Sequence, residues 1–101
     1  MKNRTKYLKW AESVRKPYCE IGQWCNDKTL GAMFYLEKYP HHIIFKSQAP
    51  NMIYVVENGI QPCNRCHTFA HRHKQKFYDW FQDKYPEWWN ELQQLYRELH
   101  K

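Results

Sequence analysis

The chain has 101 residues, 43% of them hydrophobic and 18% aromatic, which is material for one folded domain and argues against wholesale disorder. A domain of this size buries a modest core and often needs a staple such as a metal or a disulfide. The net charge of +6 suits a polyanion partner, because Lys and Arg neutralise phosphates, but solubility alone is also a sufficient reason for it.

The first ten residues carry Lys2, Arg4, Lys6 and Lys9 with no apolar stretch behind them, so no secretory leader is expected. No apolar run reaches membrane-spanning length. The expected location is cytoplasmic. In a reducing compartment four cysteines suit metal ligation better than disulfides.

In chain order, residues 7–14 form a short predicted helix with Leu8, Ala11 and Val14 on one side, ended by Pro17. They belong to a basic arm, residues 1–16. Residues 19–27 read as a loop or knuckle. Residues 29–38 fit either a helix capped by Asp27 or an aromatic-rich strand. Pro40 stops that element. Residues 42–46 (HIIFK) and 52–56 (MIYVV) are β-rich runs, and Asn58-Gly59 marks a turn or strand edge. Asn64 is placed to cap a helix running from Arg65 toward Gln82. Pro86 is placed to open a last helix, where its missing N–H is not needed. Trp88, Leu92, Leu95, Tyr96 and Leu99 repeat there at helical spacing. The core is thus residues 19–73, strand, strand, helix, followed by a helical tail over 75–100.

Two sets of metal-ligand residues stand out. Cys19, Cys25, Cys63 and Cys66 together make a full tetrahedral set for structural zinc, with Cys63-x2-Cys66 as one tight knuckle. Four free core thiols are the alternative, and the five-residue gap between Cys19 and Cys25 is wide for a knuckle. His67 and His71 lie one helical turn apart, about 40° round the axis from each other, so both imidazoles can reach one cation. His73 is about 240° round from His67 and should miss it. His41 and His42 are adjacent on a predicted strand and should point in different directions, which suits one as a ligand and one as a base.

Together the run His41-His42-Ile43, then Asn58-Gly59-Ile60-Gln61-Pro62-Cys63-Asn64-Arg65-Cys66-His67, then His71, resembles the motif of HNH endonucleases. The resemblance covers about residues 19–73. It implies an α+β fold, a small ββα-metal core with a four-cysteine zinc knuckle and flanking helices. It also implies that His41, His67 and His71 hold one divalent cation (Mg, Mn, Ni or Zn) and that His42 is the general base. Asn58 would bridge the loop between the strands and orient the base, and Cys19, Cys25, Cys63 and Cys66 would hold structural zinc. The loop after Ser47 departs from the family pattern, with Ala49-Pro50 where Gly-Gly is often found. The tail resembles the terminal helices of phage recombination nucleases, which would put the protein in a host cytoplasm.

The expected activity is hydrolysis of DNA phosphodiesters by a monomer or homodimer with no membrane partner. No carboxylate occurs between Asn58 and Tyr78, and Lys46, Arg65, Arg72 and Lys74 are expected phosphate contacts. The tail aromatics suit base stacking, but at helical spacing Phe77, Trp80, Phe81 and Trp88 are better assigned to the core. A non-catalytic zinc module that binds nucleic acid would need only the cysteines and the basic helix. A partner-binding domain would use the aromatic tail.

Overall fold

A computed structural model of the chain describes residues 2–25 and 36–100. The cap expected at Asp27 and most of the element expected over 29–38 lie outside the described residues. Those described form four α-helices and one two-stranded antiparallel sheet, an α+β arrangement. None of these helices is long and apolar enough to cross a membrane.

Helix α1 spans Lys2–Val14, starting five residues earlier than the apolar pattern suggested. No proline or glycine interrupts its basic first half, so the helix continues through it. Trp10, Ala11 and Val14 are buried, while Leu8 is only half-buried. The Trp10 indole also donates to the Val55 carbonyl at 2.8 Å. The basic arm is therefore a docked helix.

Strand β1 (His41–His42) pairs with β2 (Gly59–Ile60), with His41 opposite Ile60 and His42 opposite Gly59. The expected strand over 42–46 ends at His42. Ile43, Ile44 and Phe45 are all buried, which a one-faced strand with alternating sides does not allow. The Asn58 side chain takes the place of a neighbouring strand there. Its Oδ1 accepts from Ile44 N at 2.7 Å, and its Nδ2 donates to the carbonyls of Ile44 (3.0 Å) and Met52 (3.3 Å). The expected strand over 52–56 is likewise replaced by two 3-10 turns, Pro50–Met52 and Val56–Asn58. The β propensity of this run yields to these tertiary contacts.

The single helix expected from Arg65 toward Gln82 is two helices, α2 (Asn64–Arg72) and α3 (Lys74–Lys84), divided at His73 with φ −129° and ψ 64°. No proline or glycine marks that break. Cys63, not Asn64, is the cap: its sulfur accepts from Cys66 N at 3.4 Å. Helix α4 (Pro86–Leu99) opens at the expected proline. Leu92 is buried and Trp88, Trp89, Leu95 and Tyr96 are packed around the core, whereas Leu99 is exposed. Ile43, Met52, Ile60, Phe77, Phe81 and Leu92 form the core proper. Each such side chain contributes roughly 1.5–3 kcal/mol on burial.

Gly59 is where α1 meets the sheet. A Cβ there would lie 2.6 Å from Val14 Cγ2 and 2.8 Å from Trp10 Cζ2. Gly59→Ala is therefore expected to lower stability by about 1–3 kcal/mol, the usual range for overpacking. Denaturant unfolding reads the change, and an unaltered midpoint would contradict this packing.

Candidate metal centres

The first centre gathers all four cysteines. Their sulfurs lie within 4.8 Å of one another, and all four are free thiols. Cys63 and Cys66 come from the start of α2, where the helical turn sets their spacing. The wide Cys19–Cys25 segment nevertheless closes, because Gly22 turns the chain at φ 61°, a conformation glycine adopts without a Cβ penalty. Gly22 N donates to Cys19 Sγ at 3.3 Å and Cys63 N donates to the same sulfur at 3.2 Å. Trp24 then stacks on Phe69 of α2, ring centroids 4.2 Å apart, and holds the loop in place.

These contacts set the protonation pattern. Cys19 is acidified to about 5, first by the hydrogen bond from the Cys66 thiol, against its own burial, with further help from backbone N–H groups. Cys66 is pushed up by that same bond and by burial. Cys25 is raised by burial and by the nearby Cys63 sulfur. One thiolate stabilised among suppressed thiols is a pattern that a divalent cation relieves, because its charge favours the other thiolates too. The donor set and its N–H···S bonds fit zinc, to which all four cysteines would contribute.

The second centre gathers His41, His67 and His71, each offering a ring nitrogen within 4.8 Å of the others. His67 and His71 project from one face of α2, and their Nε2 atoms are 3.1 Å apart. His41 enters from β1, packed edge-on against Phe77 at 4.8 Å. Its Nε2 is the one buried side-chain polar atom without a hydrogen-bond partner among the described residues. Burial, then the neighbouring His67, His71 and His42, holds the His41 pKa well below the usual histidine range. His71 is also lowered, first by burial and then by His67 and Lys74. Three converging imidazoles, those of His41 and His71 favoured neutral by burial and one of them with an unpaired buried nitrogen, fit a cation shared by the three rings. His73 packs at a tilt against Phe69, ring centroids 4.6 Å apart, and stands outside this group. It lies at the non-helical break after α2, so the turn of the backbone there, not a helical angle, sets its direction.

Behind His67 stands Glu37, with Oε1 3.4 Å from Nδ1. A carboxylate on Nδ1 keeps the proton there and leaves Nε2 as the ligand atom. Glu37 is held through its backbone: its N–H donates to Pro62 O at 3.1 Å, and its carbonyl accepts from the buried Gln61 amide at 2.9 Å. Sequence reasoning missed Glu37, because the ambiguous 29–38 segment gave no register for it. It also missed Gly22, for which the Cys19-x2-Gly22 spacing was an available signal.

His42 points away from His41 but lines the same cleft. Its ring lies parallel to Trp10, with centroids 4.2 Å apart and planes 6° apart. Its Nε2 is 2.9 Å from the Ile53 carbonyl. A carbonyl only accepts, so Nε2 carries the proton and Nδ1 of the neutral ring is free to accept one. Burial lowers the His42 pKa, against the Ile53 hydrogen bond that raises it. Asn58 does not reach the cleft. It fixes the loop between the strands through the bonds given above.

The cleft measures about 390 Å³ and is lined by the His41, His42, His67 and His71 side chains with Lys46, Lys74 and Tyr7 at its rim. Two of the four expected phosphate contacts, Lys46 and Lys74, thus stand beside the imidazoles. The other two, Arg65 and Arg72, line a separate groove with Asn64, Thr68 and His73. They sit about 140–160° round α2 from His67. No family model, characterised protein or solved structure matches this chain.

Two outcomes are expected. A structural zinc in a small protein contributes roughly 10–16 kcal/mol, against a net folding stability of about 5–15 kcal/mol. Cys63→Ser should therefore unfold the chain, as circular dichroism would register, and a folded variant with an unchanged Tm would refute a structural metal at the cysteines. Glu37→Gln should weaken divalent-cation binding at the histidines by about 10–100-fold while leaving the fold intact. Competition against a chromophoric chelator measures it, and unchanged affinity would remove Glu37 from the site.

Proposed function

We propose that this chain is a metal-dependent endonuclease of the ββα-metal, HNH-like kind, which hydrolyses phosphodiester bonds of DNA. The observation that carries the reading is the pairing in one cleft of a three-imidazole cluster with a fourth histidine whose Nδ1 is free. The short β1–β2 pair followed by α2, with histidines from the first strand and the helix, supports the same reading.

The chain's own groups account for the chemistry. His42 takes a proton from a water at Nδ1, which the Ile53 carbonyl leaves unprotonated by holding the N–H at Nε2. The hydroxide equivalent so formed attacks phosphorus, and the bond to the departing oxygen breaks. Trp10 holds the imidazole plane, and Asn58 holds the loop that carries it. Lys46 and Lys74 bind the phosphate backbone at the cleft, and Arg65 and Arg72 bind it elsewhere along the strand. A divalent cation on His41, His67 and His71 would offset charge at the scissile phosphate and the leaving oxygen. A zinc module that only binds nucleic acid would use the Arg65 groove but has no role for the imidazole cleft.

His42→Ala is expected to lower nicking of supercoiled plasmid by about 10²–10⁴-fold, the usual contribution of a general base. Metal content and plasmid binding should stay as in the wild type. Near-normal nicking by the variant would take His42 out of the reaction. No cleavage of supercoiled plasmid or of single-stranded DNA by the wild-type protein with Mg, Mn, Ni or Zn would refute the nuclease reading.

A further inference from the structure

A second cavity, about 400 Å³, opens between α3 and α4. Gln75, Tyr78 and Gln82 reach it at i, i+3 and i+7 of α3. Trp89, Gln93 and Tyr96 reach it at i, i+4 and i+7 of α4. Gln48 closes one end. Among the described residues no lining side chain carries a formal charge, and these contribute four glutamine amides and three aromatic rings.

Two of those amides have their hydrogen bonds within the protein. Gln75 donates to Asp79 at 2.9 Å, and Gln48 Oε1 accepts from the Tyr78 hydroxyl at 2.7 Å. The side chains of Gln82 and Gln93 have no partner among the described residues. Neutral amides beside aromatic faces disfavour phosphate, which needs cations, and disfavour a purely apolar ligand, which would leave the amides unpaired. They suit a nucleobase, whose face stacks on an aromatic ring and whose edge pairs with a carboxamide.

The cavity also adjoins the imidazole cleft. Phe45 lines the cleft, and its backbone N–H donates to the Tyr78 hydroxyl oxygen at 3.1 Å, while the Tyr78 ring lies 5.5 Å from the Phe45 ring. Phe45, which lines the cleft, and Tyr78, which lines the groove, are thus in direct contact, with Lys46 and Lys74 on the Phe45 side and the amides on the Tyr78 side.

We propose that the α3–α4 groove binds an unpaired base of the substrate strand, so that the substrate is single-stranded or locally unwound nucleic acid. This rests on the nuclease reading of the imidazole cleft. A base stacked within a duplex presents no free face to such a groove. A base released from pairing presents both its face and its Watson–Crick edge.

The test uses the full chain carrying His42→Ala, so that the probe survives. Two single-stranded probes of equal phosphate number are compared by fluorescence anisotropy, a deoxyadenosine decamer and an abasic decamer. The base-bearing decamer is expected to bind about tenfold or more tightly, the scale of one base–aromatic stack. Adding Gln82→Ala and Gln93→Ala, both at the groove surface, should reduce that preference to what stacking on the remaining aromatic rings supplies and leave abasic affinity unchanged. Equal affinity for the two probes, or a preference that the double substitution leaves unchanged, would overturn the proposal. Metal-dependent nicking by the chain with groove and His42 both intact reads the cleft separately, so failure of the groove proposal and failure of the nuclease reading are distinguishable.

Discussion

Cys66 and His67 are neighbours in the chain, and one step of α-helix, about 100°, turns them toward different clusters. Cys66 joins Cys19, Cys25 and Cys63, while His67 joins His41 and His71. The first turn of α2 is therefore shared by two candidate metal centres of different chemistry. The rest of the structure is arranged around that turn. The Gly22 loop brings in Cys19, the short sheet brings in His41, and the segment after residue 35 brings in Glu37. With its modest core, a chain of this length gains most from a staple that ties remote segments to one helix.

The two centres differ in protonation and access. The thiols are crowded, with one thiolate favoured and its neighbours suppressed. The imidazoles of His41, His42 and His71 are kept neutral by burial before anything else. Neutral imidazole is both the ligand form and the base form, so the same desolvation suits both of the roles proposed for this cleft. Two members of the cysteine cluster, Cys63 and Cys66, are buried and two are half-buried, whereas the imidazole cluster opens to a cleft lined also by Lys46 and Lys74. A four-sulfur set with no position left open and a three-nitrogen set that opens to a cleft correspond to the structural and reactive roles proposed for them.

Much of the site was legible because helical and knuckle spacings are local. Cys63-x2-Cys66 and His67-x3-His71 follow from one helix, and Pro86 marks the start of another. Long-range choices were not legible. The runs at 42–46 and 52–56 have strand composition, but Asn58 supplies the hydrogen bonds a further strand would have made, and the chain turns instead. The break at His73 has no proline or glycine to announce it. Trp10 stacks on His42 across more than thirty residues, and Glu37 approaches His67 from a segment with no clear period. Such pairings depend on tertiary contact, which periodicity does not carry.

The central claim is that one helix serves two metal centres, one structural and one open. Native mass spectrometry of the folded chain, with its ions retained, tests this most directly when wild type and His67→Ala are compared. Two bound divalent ions are expected in the wild type. One is expected in the variant, still held by the cysteines, with the fold preserved. A wild-type chain that binds a single ion, or a variant that keeps both, would contradict that claim.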